Sequence, residues 1–203
     1  MPSELYKLNM NIAIIINYIS FVAWVFPIFR QYRSNLFYFF LLLGICDPLS
    51  MLVSKFVHMQ IENIAVIISP MLFYAINIDR KKDFKITKTE IFVFILAYTL
   101  FILRNNPNII LLIIHTLIAI RAIFKIIIDL HLNQKVNLVH LVLAFYMITS
   151  VASLIIFLNG DYRGVVLFHT NLAFQILIAI FFSIFREDDQ RLIFKVAPIH
   201  TNN

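Results

Sequence analysis

Residues Leu36–Lys55 read LFYFFLLLGICDPLSMLVSK, and this stretch decides the fold. It is almost wholly apolar, and at a helical rise of about 1.5 Å per residue it is long enough to cross a bilayer. Asp47 interrupts it near the middle, and Pro48 follows at once. A carboxylate in hydrocarbon is costly and usually has a partner or a function, while a proline tends to kink its helix. The stretch therefore predicts a membrane helix that carries one expensive acidic group.

The composition of the whole chain is typical of a membrane protein. Of the 203 residues, 61% are hydrophobic and only 14% are charged, and the mean hydropathy is +0.87. A soluble domain is closer to half apolar and a quarter charged, so there is no room for a sizeable soluble domain. The net charge of +6 does not indicate nucleic acid, because membrane proteins gather basic residues on their cytoplasmic side. We expect the lipid bilayer to be the main partner.

Seven apolar segments predict an all-α, polytopic bundle that forms a single transmembrane domain over residues 1–203. The segments are joined by short polar connections, so neighbouring helices should run antiparallel, and they lack the alternation of a barrel strand. The third and fourth are the weakest, and a five-helix arrangement that omits both keeps the same ends. The predicted spans are Leu8–Phe29, Leu36–Ser54, Gln60–Ile78, Thr89–Leu103, Asn108–Ile128, Val136–Leu158 and Gly164–Phe185.

The distribution of basic residues predicts the orientation. With the N-terminus outside, 13 of the 17 lysines and arginines fall inside, which the positive-inside rule favours. We therefore predict an N-out, C-in, multi-pass protein of a bacterial inner (plasma) membrane. The four basic residues left outside are Lys7, Lys55, Arg104 and Arg163.

Two cytoplasmic segments follow from this orientation. The loop after the third span carries Arg80, Lys81 and Lys82, and we expect it to contact a cytoplasmic or membrane protein partner. Residues 186–203 form a short cytoplasmic tail, REDDQRLIFKVAPIHTNN, which we expect to be solvated because it is short and of mixed charge.

Polar residues from six of the spans fall in one layer of the outer half. At about 1.5 Å per residue, each lies about 8–14 Å from the outer end of its own span. We predict a ligand-binding pocket open to the outside, with Asp47 and His115 as its ionisable pair. Gln175 shares a helix face with Asn171 because the two are one turn apart. The residues assigned to the pocket are Asp47, His115, His169, Asn171, Gln175 and Asn17; Ser69 and Ser150 lie in the same layer.

A structural interpretation competes with the pocket. Serine, asparagine, glutamine and histidine side chains often bridge helices in lipid, for about 1 kcal/mol each. For the asparagines and serines this interpretation is favoured. For Asp47 a function is favoured, since a carboxylate is a costly way to join helices.

Several classes of chemistry lack their motifs. No two histidines have the H-x-x-x-H spacing of a helical zinc site, so we assign no metal ligands. No G-x-S-x-G elbow supports a serine nucleophile, and the three glycines form no phosphate-binding loop. We assign no catalytic residues and no cofactor, and an enzyme is disfavoured without being excluded.

The end of the first span resembles the PQ-loop and SWEET-type transporters. In those families a helix ends in Pro-Gln before a basic, Ser-containing turn; here WVFPIFRQYRSN has Pro27 and the basic turn, with Ile28 in place of the glutamine. The families have a three-plus-one-plus-three parallel repeat and are N-out. Residues 19–35 and 117–133 both end an inward-running helix in a basic turn, as such a repeat implies.

These observations favour a non-enzymatic sensory or partner-binding module. It would bind a small-molecule or lipid ligand in the outer pocket. A small-solute transporter in which Asp47 couples protons or binds substrate is the alternative. An intramembrane enzyme that uses Asp47 and His115 as acid and base is the third possibility.

Overall fold

The protein is described by a computed structural model over residues 2–78, 85–103, 106–159 and 163–196; within these, the side chains of residues 2–14, 17 and 163–169 are not described. Over these ranges the chain forms seven α-helices and two three-residue strands, so the predicted all-α class is confirmed. Each predicted segment lies largely within one helix. The elements are α1 (Pro2–Arg30), α2 (Phe37–Val57), α3 (Ile61–Ala75), α4 (Lys88–Ile102), α5 (Pro107–Asn133), β1 (Lys135–Asn137), α6 (Leu138–Leu158), α7 (Arg163–Ile184) and β2 (Ile193–Lys195), with a 3-10 turn at Gln190–Leu192 before β2.

Three of the helices are long and apolar enough to cross a membrane: α2, α5 and α6. The described apolar stretches of α1, α3 and α7 are shorter, namely Tyr18–Arg30, Ile61–Ala75 and Thr170–Ile184. With 15 residues each, α3 and α4 extend about 22 Å. The chain is thus helical and compatible with a membrane protein.

Six of the helices form a closed ring. Neighbours pack in the order α1, α2, α3, α5, α6 and α7, and α7 packs against α1 to close the ring. Helix α4 lies outside the ring, against α3 and α5. Its buried side chains, Glu90, Val93 and Ala97, lie on one face, whereas Phe92 and Ile95 are exposed.

Helices α1 and α2 approach closely at Gly44. A Cβ atom placed there would lie 2.8 Å from the Trp24 carbonyl oxygen and 2.8 Å from Ile28 Cδ1. Only a residue without a side chain allows this contact. Four aromatic side chains pack against one another in the centre of the ring. We call this cluster the aromatic floor; it consists of Trp24, Phe40, Tyr146 and Phe182.

The expectation of a solvated tail is wrong for Glu187 and Leu192, which are buried, although most residues between 186 and 196 are exposed. Strand β2 pairs antiparallel with β1, which places Phe194 opposite Val136 and Ile193 opposite Asn137. Leu192 is buried in the core, and the Val196 N–H donates to the Gln134 carbonyl over 2.9 Å. Because β1 takes up residues 135–137, α6 begins at Leu138, two residues after the predicted start.

Candidate functional site

The ring of helices surrounds a cavity of about 370 Å³ on one side of the aromatic floor. It extends to the end of the bundle at which α5 begins and α6 ends, since Asn108 and Phe157 border it. All six ring helices contribute to its wall. The polar and aromatic residues that line it are Trp24, Cys46, Asp47, Ser69, Asn108, His115, Tyr146, Ser150, Ser153, Phe157, Asn171 and Gln175.

Asp47 lies on the ring-facing side of α2. Phe40 and Ser50 share this side at helical spacing, and both are buried. Asp47 itself is exposed, because it borders the cavity. No hydrogen bond or ion pair reaches its carboxylate from any described residue.

His115 places a second unsatisfied polar group on the cavity. Its Nδ1 atom is shielded from solvent and has no hydrogen-bond partner among the described side and main chains. The sequence predicted Asp47 and His115 to form a pair. Both border the cavity, but no hydrogen bond or ion pair joins them in the structure.

Helix α7 contributes Asn171 and Gln175, which lie one turn apart and both border the cavity. The structure thus brings together four of the six residues that the sequence assigned to a pocket: Asp47, His115, Asn171 and Gln175. The side chains of the other two, Asn17 and His169, lie outside the described residues.

The hydroxyl groups of the cavity wall bond within their own helices. Ser69 Oγ donates to the Val66 carbonyl (3.0 Å), and Ser150 Oγ donates to the Tyr146 carbonyl (3.0 Å). Such bonds along a helix satisfy the hydroxyl without joining two helices. In the described part of the wall, the bridging hydrogen bonds that the structural interpretation requires are not present.

Several cavity residues were missed in the sequence. Trp24 and Tyr146 form the inner end of the wall, with ring centroids 4.9 Å apart. Tyr146 precedes Ser150 by one turn, so the same spacing that linked Asn171 to Gln175 would have found it. Nothing in the local sequence marks Asn108, because it enters the wall only through the position of α5 in the ring.

A second polar centre, which we call the Glu187 cluster, lies at the opposite end of the ring. Glu187 Oε1 is 3.1 Å from Lys125 Nζ and 2.9 Å from His140 Nε2, and its Oε2 accepts a hydrogen bond of 3.1 Å from the Leu36 N–H. His140 Nδ1 in turn faces the Asp129 carboxylate at 3.4 Å. One buried carboxylate therefore contacts the α1–α2 connection, α5 and α6.

The Glu187 backbone is held as firmly as its side chain. Gln31 is fully buried; its Oε1 accepts from the Glu187 N–H (3.2 Å), and its Nε2 donates to the Phe182 and Phe185 carbonyls at the end of α7. These carbonyls have no intrahelical partner, so Gln31 acts as a C-terminal cap. Asn137 Nδ2 donates to the Glu187 carbonyl over 2.8 Å.

The contacts of Glu187 keep it ionised. Burial alone would raise the pKa of its carboxyl group, but the hydrogen bond with His140 and the positive charge of Lys125 lower that pKa to about 2. Sequence reasoning placed Glu187 in a solvated tail. The acidic run REDD gave no signal of burial, because every partner is distant in sequence.

Comparisons with known proteins give no assignment: no family model, no curated protein and no solved structure matches the chain. Within the described residues, no group of three or more histidine, cysteine, aspartate or glutamate side chains is arranged to hold a metal ion.

Proposed function

We propose that this chain is a multi-pass plasma-membrane protein that binds a small ligand in the cavity of its helix ring and reports the bound state to a partner. In this proposal all seven helices span the bilayer, with the N-terminus and the cavity mouth outside. The observation that carries the proposal is a cavity bordered by polar groups that have no partner among the described residues, above all the Asp47 carboxylate and His115 Nδ1.

A buried polar group without a hydrogen bond costs on the order of 1–3 kcal/mol, and an ionised one costs more. Polar residues that only join helices would recover this cost by bonding to each other. In the cavity the serine hydroxyls bond within their own helices, whereas the Asp47 carboxylate and the buried His115 Nδ1 have no partner among the described residues. A few such groups in a mostly apolar wall are the arrangement of a pre-formed binding site.

The opposite end of the ring suits an output role. The Glu187 cluster fixes the start of the C-terminal segment to α5, α6 and the connection between α1 and α2, and these four helices all line the cavity. The basic loop with Arg80, Lys81 and Lys82, which lies outside the described residues, would be at the same cytoplasmic end. We propose this end as the surface for a protein partner.

A small-solute transporter is the second candidate, and the unpartnered Asp47 carboxylate is what favours it. A membrane carboxylate without a partner is typical of proton-coupled or substrate-binding sites. Transport also requires access from the other side, and here the aromatic floor closes the ring, with Phe40 and Phe182 fully buried. Uptake into vesicles would distinguish this candidate from a sensor.

The test is native mass spectrometry of the protein released from gentle detergent. We expect a discrete small molecule or lipid to accompany the wild type and to be lost from Asp47→Asn. The matched control is Glu62→Gln, the same acid-to-amide change at the exposed start of α3, which should retain the ligand. If all three proteins carry nothing, or if all carry the same molecule, the cavity is not the binding site.

A further inference from the structure

We infer that the cavity selects a small organic cation, an amine or quaternary ammonium compound with an apolar body. This inference rests on the proposed ligand-binding function and adds the chemical class of the ligand. It is carried by the charge and the shape of the cavity wall, taken together.

The described part of the cavity wall carries an acidic side chain and no lysine or arginine. The acidic side chain is Asp47, which contributes a carboxylate. The basic residues of α5, Lys125 and Arg121, lie toward its far end, where they bond to Glu187 and Asn77. A bound cation would supply the counter-charge that the protein does not.

The remaining wall fits the body of an organic molecule. Trp24, Tyr146 and Phe157 present aromatic rings, and a cation is attracted to the face of such a ring. Leucines line much of the rest: Leu43, Leu72, Leu111 and Leu154. His115, Asn171 and Gln175 offer hydrogen bonds to a polar substituent.

A bare metal ion fits less well. Such an ion requires several oxygen ligands converging at about 2–2.6 Å. The cavity volume of about 370 Å³ is about ten times the share of one water molecule in the liquid. Its size falls in the range of sites that take organic ligands of drug-like or smaller size.

The chain contains its own probe of this site. Cys46 is the one cysteine in the sequence, and it borders the cavity beside Asp47. Two methanethiosulfonates of similar size react with a thiol to form a mixed disulfide and release methanesulfinate. One carries a trimethylammonium-ethyl group and is cationic, and the other carries a sulfonatoethyl group and is anionic.

We would measure the labelling rates of both reagents on right-side-out and inside-out membrane vesicles, with Cys46→Ala as the blank. The ratio of the cationic to the anionic rate is the informative quantity, because any change in the ionisation of the thiol affects both reagents equally. For the wild type labelled from outside we expect a ratio that falls at least about tenfold in Asp47→Asn, since a nearby carboxylate attracts one reagent and repels the other. Glu62→Gln should keep the wild-type ratio.

Competition in the wild type tests the inference without any variant, so a poorly folded Asp47→Asn protein would not block it. The competitors are 2-phenylethylamine, 2-phenylethanol and phenylacetate, which share a ring and differ in charge. We expect the amine to slow labelling at concentrations at which the alcohol and the acid have no effect.

The outcomes separate this inference from the proposed function. If the ratio is unchanged in Asp47→Asn, or if phenylacetate or sodium ions protect Cys46 as well as the amine does, the cation inference is wrong while an open cavity remains. If neither reagent labels Cys46 from outside until the protein is unfolded, the outward-facing cavity and the inference fail together.

Discussion

Replacing Glu187 by glutamine removes the negative charge at the centre of the Glu187 cluster without changing the size of the side chain. In the wild type the carboxylate accepts from Lys125, His140 and the Leu36 N–H. Glutamine keeps one acceptor oxygen and places an NH₂ donor where another donor already points. Glu187 is only 8% exposed, whereas Lys125 is 33% exposed and can partly recover hydration.

Two arguments give the size of the expected loss of stability. Removing one partner of a buried ion pair costs about 3–5 kcal/mol, and the partial exposure of Lys125 reduces this. Independently, the pKa of Glu187 is lowered from its ordinary 4.5 to about 2, and a shift of this size corresponds to about 3 kcal/mol of stability when the carboxyl group is ionised. We therefore expect Glu187→Gln to lower the free energy of unfolding by about 3 kcal/mol at neutral pH.

The sign of the pH dependence follows from the lowered pKa. The stabilisation from Glu187 is complete above the unfolded pKa near 4.5 and is lost as the pH falls through about 2. Other carboxyl groups also titrate in this range, but they do so in both proteins. The difference between wild type and Glu187→Gln should accordingly shrink between about pH 4.5 and pH 2.

The assay is unfolding in mixed micelles with increasing sodium dodecyl sulfate, followed by tryptophan fluorescence. Trp24 is the one tryptophan and belongs to the aromatic floor, so its signal reports the helix ring. Asp188→Asn is the control, because Asp188 is 62% exposed and pairs only with Arg186 among the described residues; its effect should stay within about 0.5 kcal/mol. A Glu187→Gln protein that unfolds with the wild type at pH 7, or a difference that persists unchanged to pH 2, would refute the reasoning.

Three further predictions, which use four substitutions, are tested with the same fluorescence assay. Gly44→Ala should destabilise the protein by about 1–3 kcal/mol, because the new Cβ would collide with the Trp24 carbonyl; an unchanged midpoint would show that α1 and α2 do not pack this closely. Leu192→Ala should cost about 2 kcal/mol since Leu192 is buried, whereas a solvated tail would give no effect. Asp47→Asn and His115→Gln should have additive effects on unfolding, because no bond joins the two side chains; non-additivity above about 0.5 kcal/mol would indicate direct contact.

The helices were predictable because their signal is local. Long apolar runs separated by short polar connections determine where helices form, and all seven predicted segments are helical in the described residues. The predicted helix ends were less accurate. α5 continues past the predicted Ile128 to Asn133, since Asp129 and His131 can lie on a helix that has left the apolar layer. The count of membrane crossings stays a prediction, because within the described residues α2, α5 and α6 are the helices that meet the length and hydropathy of a span.

The pocket residues were predictable in depth but not in direction. Helical rise places Asp47, His115 and Asn171 at a similar level, yet only the closed ring shows that their side chains border one cavity. Whether Asp47 and His115 contact each other depends on the rotation of each helix about its axis as well as on depth. Depth alone does not give that rotation. Helical periodicity contains part of that information, as Tyr146 and Ser150 show.

The Glu187 cluster could not be predicted from the local sequence, for a different reason. Gln31 and Glu187 are joined by a hydrogen bond although they are 156 positions apart in the sequence. A polar glutamine in RQYRSN or an acidic run in REDD is typical of solvated loops. Burial of such groups depends on partners that appear only when α1, α5, α6 and α7 come together.

The two polar centres differ in how their polar groups are satisfied, and this difference bears on where the molecule can move. In the Glu187 cluster each oxygen of the carboxylate has a partner, and the end of α7 is capped by Gln31. On the cavity side, Asp47 and His115 Nδ1 have no described partner, and at the other end His140 Nδ1 and Arg186 Nε also lack a hydrogen-bond partner among the described residues. Local stability follows the density of satisfied buried contacts, so we expect the Asp47 side chain to move at lower free-energy cost than the Glu187 carboxylate, which has three partners. Because α5 and α6 border the cavity and also contact Glu187, a ligand that satisfies the cavity groups acts on helices that reach the C-terminal segment by two routes, the Glu187 contacts and the pairing of β1 with β2.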